Sequence, residues 1–107
     1  MSEFSKSMFE PLVGQTFFLH NHDGDRIVLK LTSIEEFHHI KNYESFCLNF
    51  DVPRNEPALP DDSYVVENDH LGEKTLFLSA TPMPDPDPNT YYYESNFNVF
   101  LKDIATR

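Results

Sequence analysis

No tryptophan, a single cysteine and only three glycines occur in this chain of 107 residues, and each shortage excludes something. One cysteine, Cys47, rules out an intrachain disulfide, which suits a reducing compartment. Three glycines leave no room for a glycine-rich phosphate loop, and neither a metalloprotease helix nor a serine-centred elbow is present. No apolar run approaches the ~20 residues of a membrane-spanning helix. The leading residues Met1 to Lys6 lack the basic stretch and apolar centre of a secretory signal. A cytoplasmic protein is therefore the expectation.

Basic residues are also scarce. Eight of them stand against 18 acidic ones, for a net charge of −10. Nucleic-acid binding relies on Lys and Arg neutralising phosphates, so nucleic acid is excluded as the expected partner, and an anionic membrane surface with it. The acidity leaves room for a basic protein or a cation, and it keeps the chain soluble by self-repulsion.

What is abundant is aromatic: ten Phe and five Tyr. Each ring can bury roughly 150–250 Å², so a few of them can build the core of one domain over residues 1–107. The apolar residues alternate with period two. Phe17 and Leu19, then Ile27, Leu29 and Leu31, then Phe46, Leu48 and Phe50 form three sets. Tyr64 with Val66, Leu76 with Leu78, and Tyr93, Ser95, Phe97 and Val99 form three more. Such alternation buries one face of an antiparallel strand and wets the other. It predicts strands at 15–21, 26–34, 44–51, 63–67, 74–80 and 91–99. The fold class is all-β and mainly antiparallel, with about six strands in a small sandwich or partly open barrel.

A short helix over 5–10 precedes the strands, with Ser5 as its cap and Pro11 ending it at Glu10. It plugs an end or covers an edge. The prolines gather in two stretches, Val52 to Asp62 and Pro82 to Asn89, which are loops because proline cannot donate to a ladder. Asn68 to Gly72 makes a tight hairpin. His22-Asp23-Gly24-Asp25 joins the first two strands. Only an odd loop keeps their apolar faces together, so a loop of three or five residues is expected, pairing Phe17 with Leu31 and Leu19 with Leu29.

Few side chains suggest chemistry. His20 and His22, two apart, share one strand face beside Asp23 and Asp25, a set that could bind zinc or a similar ion. The alternative is a solvated hairpin end. His38 and His39 point to opposite faces, and His70 lies in a turn. Cys47 faces away from Phe46 and Leu48 with no organised base nearby, so a reactive thiol is not expected. The Asp85 to Asn89 run fails as a calcium loop: the sixth position from Asp85 is Thr90, not glycine, and the twelfth is Asn96, not Glu. No catalytic residue and no cofactor emerge. Phe18 faces outward by parity, and Tyr91 and Tyr92 belong to an aromatic triplet with Tyr93. These three are the candidate interface, or else a second small core.

Several segments together resemble a family of small uncharacterised bacterial domains. They are Phe9 with Pro11-Leu12-Val13-Gly14 and Phe17; Phe46, Leu48 and Phe50; Leu59-Pro60 and Tyr64; Glu67, His70-Leu71-Gly72 and Leu76-Phe77-Leu78; and Tyr93-Glu94 with Phe97-Asn98. The resemblance covers about Phe9 to Asn98. It brings no established activity and no site residue. It implies an association with phage-tail-like or surface-fibre proteins, hence an accessory or assembly role. The Asp61-Asp62-Ser63 turn and the tail from Val99 to Arg107 depart from the family pattern; the tail extends the last strand or forms a short helix. The expected function is a non-enzymatic protein-interaction module with a protein partner. The alternatives are a metal-dependent domain on His20, His22, Asp23 or Asp25, and a barrel whose aromatics line a small-ligand cavity. Oligomeric state stays open.

Overall fold

A computed structural model describes residues 4–37 and 42–100. Six antiparallel strands form a closed barrel: β1 (Thr16–His20), β2 (Arg26–Phe37), β3 (Tyr43–Pro53), β4 (Asp62–Asn68), β5 (Gly72–Ala80) and β6 (Thr90–Phe100). Around the barrel they run β1-β2-β3-β6-β5-β4, so the all-β class holds and the sheet closes on itself. Closure removes the exposed edges that an open sheet must otherwise protect.

The alternating residues face inward as their period demands. Phe17, Leu19, Ile27, Leu29, Leu31, Leu48, Phe50, Val52, Val66, Leu76 and Leu78 are all at most 1% exposed. Phe17 meets Phe50 edge to face, with ring centroids 5.4 Å apart, an arrangement that the ring quadrupoles favour. The interior is filled by these side chains, which leaves the ligand-lined barrel without support. Two open hollows lined by described residues lie at the surface. One, of about 340 Å³, is lined by Met8, Pro11, Leu12, Gln15, His70 and Leu71. The other, of about 410 Å³, lies beside Phe4, Val65 and Lys74.

Closure is uneven. β3 and β6 pair along their whole length, from Tyr43↔Phe100 to Pro53↔Thr90. By contrast, β1 meets β4 through Phe18↔Glu67 and Leu19↔Val66, and β5 meets β6 through Ser79↔Glu94 and Ala80↔Tyr93. The first narrow seam has a side-chain reinforcement. Buried Asn68 donates to the Thr16 carbonyl at 3.0 Å, tying β4 to β1. The same side chain accepts the N–H groups of His70 and Leu71, which shapes the hairpin that Gly72 completes with φ of 77°. Glycine reaches that φ without a Cβ clash.

The N-terminal turn packs on β3 and β6. α1 (Lys6–Phe9) runs into a 3-10 turn at Glu10–Leu12. Phe9 is fully buried against Phe46 and Phe97, and the Phe4 ring lies 5.2 Å from that of Phe97. Two expectations are corrected here. The α-helix ends with Glu10 as its C-cap, but Pro11 does not force Glu10 out of helical dihedrals, and the chain runs on as a 3-10 turn. Proline at the start of a 3-10 turn lacks only an N–H that has no partner there. Ser5 occupies the cap position but its hydroxyl caps nothing. The Lys6 N–H is instead taken by the Glu44 carboxylate at 2.7 Å, and Lys6 Nζ reaches Glu36 at 2.9 Å. The helix is thus capped by the barrel it docks on.

The first hairpin has the odd loop that parity demands. It is the five-residue form, so Phe17 pairs with Leu29 and Leu19 with Ile27, one step from the expected partners. The Asn21 side chain selects the longer loop by accepting the N–H groups of Asp23 and Asp25. In β2, a bulge between Leu31 and Ser33 shifts the phase, placing Ile34 opposite Leu48. A bulge leaves one residue unpaired and turns the strand beyond it.

Candidate functional site

The residues first considered for a metal are not brought together. β1 ends at His20, so His20 and His22 do not share a strand face. His20 pairs in register with Arg26. His22 sits in the turn, with Nε2 3.0 Å from Asp62 Oδ2 and its ring 5.4 Å from that of Tyr64. Asp23 and Asp25 are exposed in the Asn21-braced loop. Among the described residues, no three His, Cys, Asp or Glu side chains gather as a cation site. His38 and His39 lie outside the described residues, as does the tail beyond residue 100. Asp87 spends its carboxylate locally, accepting from the Asn89 N–H and the Thr90 hydroxyl.

Cys47 lies on the outer side of β3, as parity requires, yet it is only 2% exposed. Glu94 covers it, with Oε2 3.3 Å from Sγ. Nearby, Asn49 donates to Ser33 and Glu35. Burial, reinforced by the Glu94 carboxylate, pushes the thiol up to about 12. A nucleophilic cysteine needs the opposite setting, with positive charge and access.

The aromatic triplet divides by parity. Tyr93 points inward, and its phenol oxygen accepts the Leu59 N–H at 2.8 Å; burial raises its pKa. Tyr91 is half-buried against the core rim, with the Arg54 guanidinium 4.6 Å above its ring. Tyr92 points outward, where its oxygen accepts the Asp87 N–H at 2.8 Å and holds the proline loop. Tyr91 and Tyr92 are thus engaged in pinning the two loops.

Phe18 has a different setting. It stands half-buried on the outer face of β1, with the Arg26 guanidinium 3.9 Å from its ring centroid. Across one strand boundary it meets Val28, and Glu67 lies across the other. Further round the barrel, Val65 on β4 is 50% exposed and Phe77 on β5 is 55% exposed, while Val28 is 37% exposed. Scattered exposed hydrophobes are ordinary, but a contiguous apolar group rimmed by charge marks a contact surface. Val65, Phe77 and Val28 were missed in the sequence because each strand was read for its inward set alone. The signal was present: Tyr64-Val65-Val66 and Leu76-Phe77-Leu78 are unbroken apolar triplets, so their middle residues must face out.

No significant match was found among curated proteins or solved structures. Among the described residues, no helix is long and apolar enough to cross a membrane. Residues 4–97 match the profile of the family described as Domain of unknown function (DUF6916), and with nearly the whole barrel inside that span the chain belongs to this family.

Proposed function

We propose that the domain is a non-enzymatic interaction module that docks protein through the outer face of β4 and β5. One observation carries the reading: Val65 and Phe77, on the paired strands β4 and β5, keep half or more of their surface in water. Side chains with this exposure contribute nothing to the core, and the chain bears the solubility cost of displaying them. Aromatic residues at the centre of such a patch dominate binding energy when a partner desolvates them. An accessory role in a multi-subunit assembly, of the phage-tail-like kind, fits a rigid barrel of this size.

Replacing Val65 and Phe77 with Glu tests the reading. Both are exposed, so the barrel should keep its circular dichroism and melting temperature. Proteins that co-purify with the tagged wild-type chain from its native cell should be lost from the double variant. Equal capture by both chains would sink the assignment of this face.

A further inference from the structure

We propose that the partner presents an extended, basic segment that adds to β5 as a further strand; this rests on the reading of β4 and β5 as the docking surface. Closure of the barrel stops short along β5. It pairs with β6 through Ser79↔Glu94 and Ala80↔Tyr93, and no pair joins the two strands from Gly72 to Leu78. The direction of the main-chain groups in that stretch follows from the residues just beyond it. The Thr81 N–H donates to the Tyr92 carbonyl on β6, whereas the Ala80 N–H donates to Asp61 Oδ1, on the chain leading into β4. Successive residues of a strand aim their N–H and C=O groups to opposite sides. Leu78, Leu76 and Lys74 therefore bond toward β4, and Phe77, Thr75 and Glu73 aim at the β6 side. Among the described residues, the main-chain groups of those last three have no strand to pair with.

This edge has space beside it. The hollow of about 410 Å³ opens against Glu73, Lys74 and Thr75, with Phe4 and Val65 as its other walls. The side chains of Glu73, Thr75 and Phe77 are exposed on the outer face. Residues directly opposite each other in an antiparallel pair keep their side chains on one face. A strand added to β5 thus lays one side chain beside each of the three, and main-chain bonds to a free edge supply affinity whatever the sequence of the segment. Phe77 offers it an apolar contact, with Val65 on the next strand.

Charge sets the chemistry of the segment. Glu67 and Glu73 are register partners on this outer face, and the one base on the two strands, Lys74, has the opposite parity, level with buried Val66. Like charges set directly opposite are unfavourable, so a base laid beside Glu73 from outside is favoured. A second copy would bring the same acidic edge and a like net charge of −10, and would be repelled. Lys74 acts on the inner side: a charge set inward on an edge opposes pairing with purely apolar strands. The segment is therefore polar beside Lys74, basic beside Glu73 and apolar beside Phe77.

The probe is the end-blocked peptide Val-Val-Thr-Thr-Arg, which in the antiparallel sense sets Arg beside Glu73 and Val beside Phe77. It is titrated into the isotope-labelled full chain, and amide exchange is followed by NMR. With about nine-tenths of the chain occupied, exchange should slow about tenfold at the Glu73, Thr75 and Phe77 amides. The Lys74 and Leu76 amides already face β4 and should keep their rates. Exchanging the peptide's Arg for Glu should weaken binding about tenfold. Thr75→Pro removes an N–H that the fold leaves unused, a change an edge strand tolerates, so it should keep the circular dichroism of the barrel and lose the peptide. No binding, equal binding of the Glu peptide, or binding without slower exchange at the three amides overturns the proposal, and none of these results depends on the proline variant. Slow exchange at the three amides in the free chain also overturns it. The edge is then taken by the chain's own ends if the slowing is independent of concentration, and by a second copy if it grows with concentration. A Thr75→Pro chain that keeps the cellular partner lost by the Val65 and Phe77 double variant rejects strand addition and leaves the docking face standing.

Discussion

The phenol oxygen of Tyr93, on β6, accepts the backbone N–H of Leu59 at 2.8 Å, inside the loop that joins β3 to β4. Leu59 is 5% exposed, so this proline-rich segment contributes to the core, and its amide has no water to fall back on. A buried donor left without a partner costs about 1–3 kcal/mol. Tyr93→Phe is expected to lower unfolding free energy by that amount in a urea titration, with an unchanged slope. Faster hydrogen exchange at the Leu59 amide would localise the loss.

Asn68 serves three main-chain groups at once: the Thr16 carbonyl and the N–H groups of His70 and Leu71. Asn68→Ala unpairs all three and loosens both the β4–β5 turn and the β1–β4 seam. A loss of at least about 2 kcal/mol follows from the unsatisfied groups alone. Asn68→Asp keeps the acceptor for the turn but loses the donor to Thr16, so its loss should be intermediate. Chemical denaturation of the three proteins gives the order.

Phe9 anchors the N-terminal turn in the barrel. Phe9→Ala should destabilise by about 3–5 kcal/mol through transfer and cavity terms. Stabilities of ~5–15 kcal/mol are typical of whole domains, so this one side chain decides whether the domain is robust or marginal. Thermal melts of wild type and variant measure the difference.

Cys47 titrates at about 12, against 9.0 for an ordinary thiol, because burial and Glu94 oppose the thiolate. The native state then holds its proton where the unfolded chain has lost it. The stability this contributes is complete below pH 9 and is lost as pH rises toward 12. Melting temperature should therefore fall more steeply above pH 9 in the wild type than in Cys47→Ser. A shift of that size lowers the thiolate fraction about a thousandfold, and greater intrinsic nucleophilicity recovers roughly a factor of twenty. Disulfide-reagent labelling of the native chain should be at least about tenfold slower than of the unfolded chain.

Much of the barrel was legible in local pattern. The inward sets from Phe17 to Val99 were readable because face and period are properties of each strand by itself. Parity also demanded an odd first hairpin. It could not choose between three and five residues, since both preserve the faces; the choice belongs to the Asn21 side chain. The step of three from Leu31 to Ile34 was a visible trace of the bulge. Closure was not legible, because it depends on pairs such as Leu19 with Val66 and Ala80 with Tyr93 that no local window contains. The outward setting of Phe18 was readable from parity, whereas the loop contacts of Tyr91 and Tyr92 are tertiary and were not.

The packing of the N-terminal aromatic turn on β6 also sets an order of events. Phe4 and Phe9 pack on Phe97, so residues some ninety positions apart in the sequence share one cluster. During synthesis the two N-terminal phenylalanines emerge long before β6 exists to receive them. Contacts so distant along the chain are slow to form, and apolar groups that wait for them are exposed meanwhile. The barrel is therefore sealed from its beginning only after its end has arrived, and protection of Phe4 and Phe9 during that interval is left to whatever meets the nascent chain.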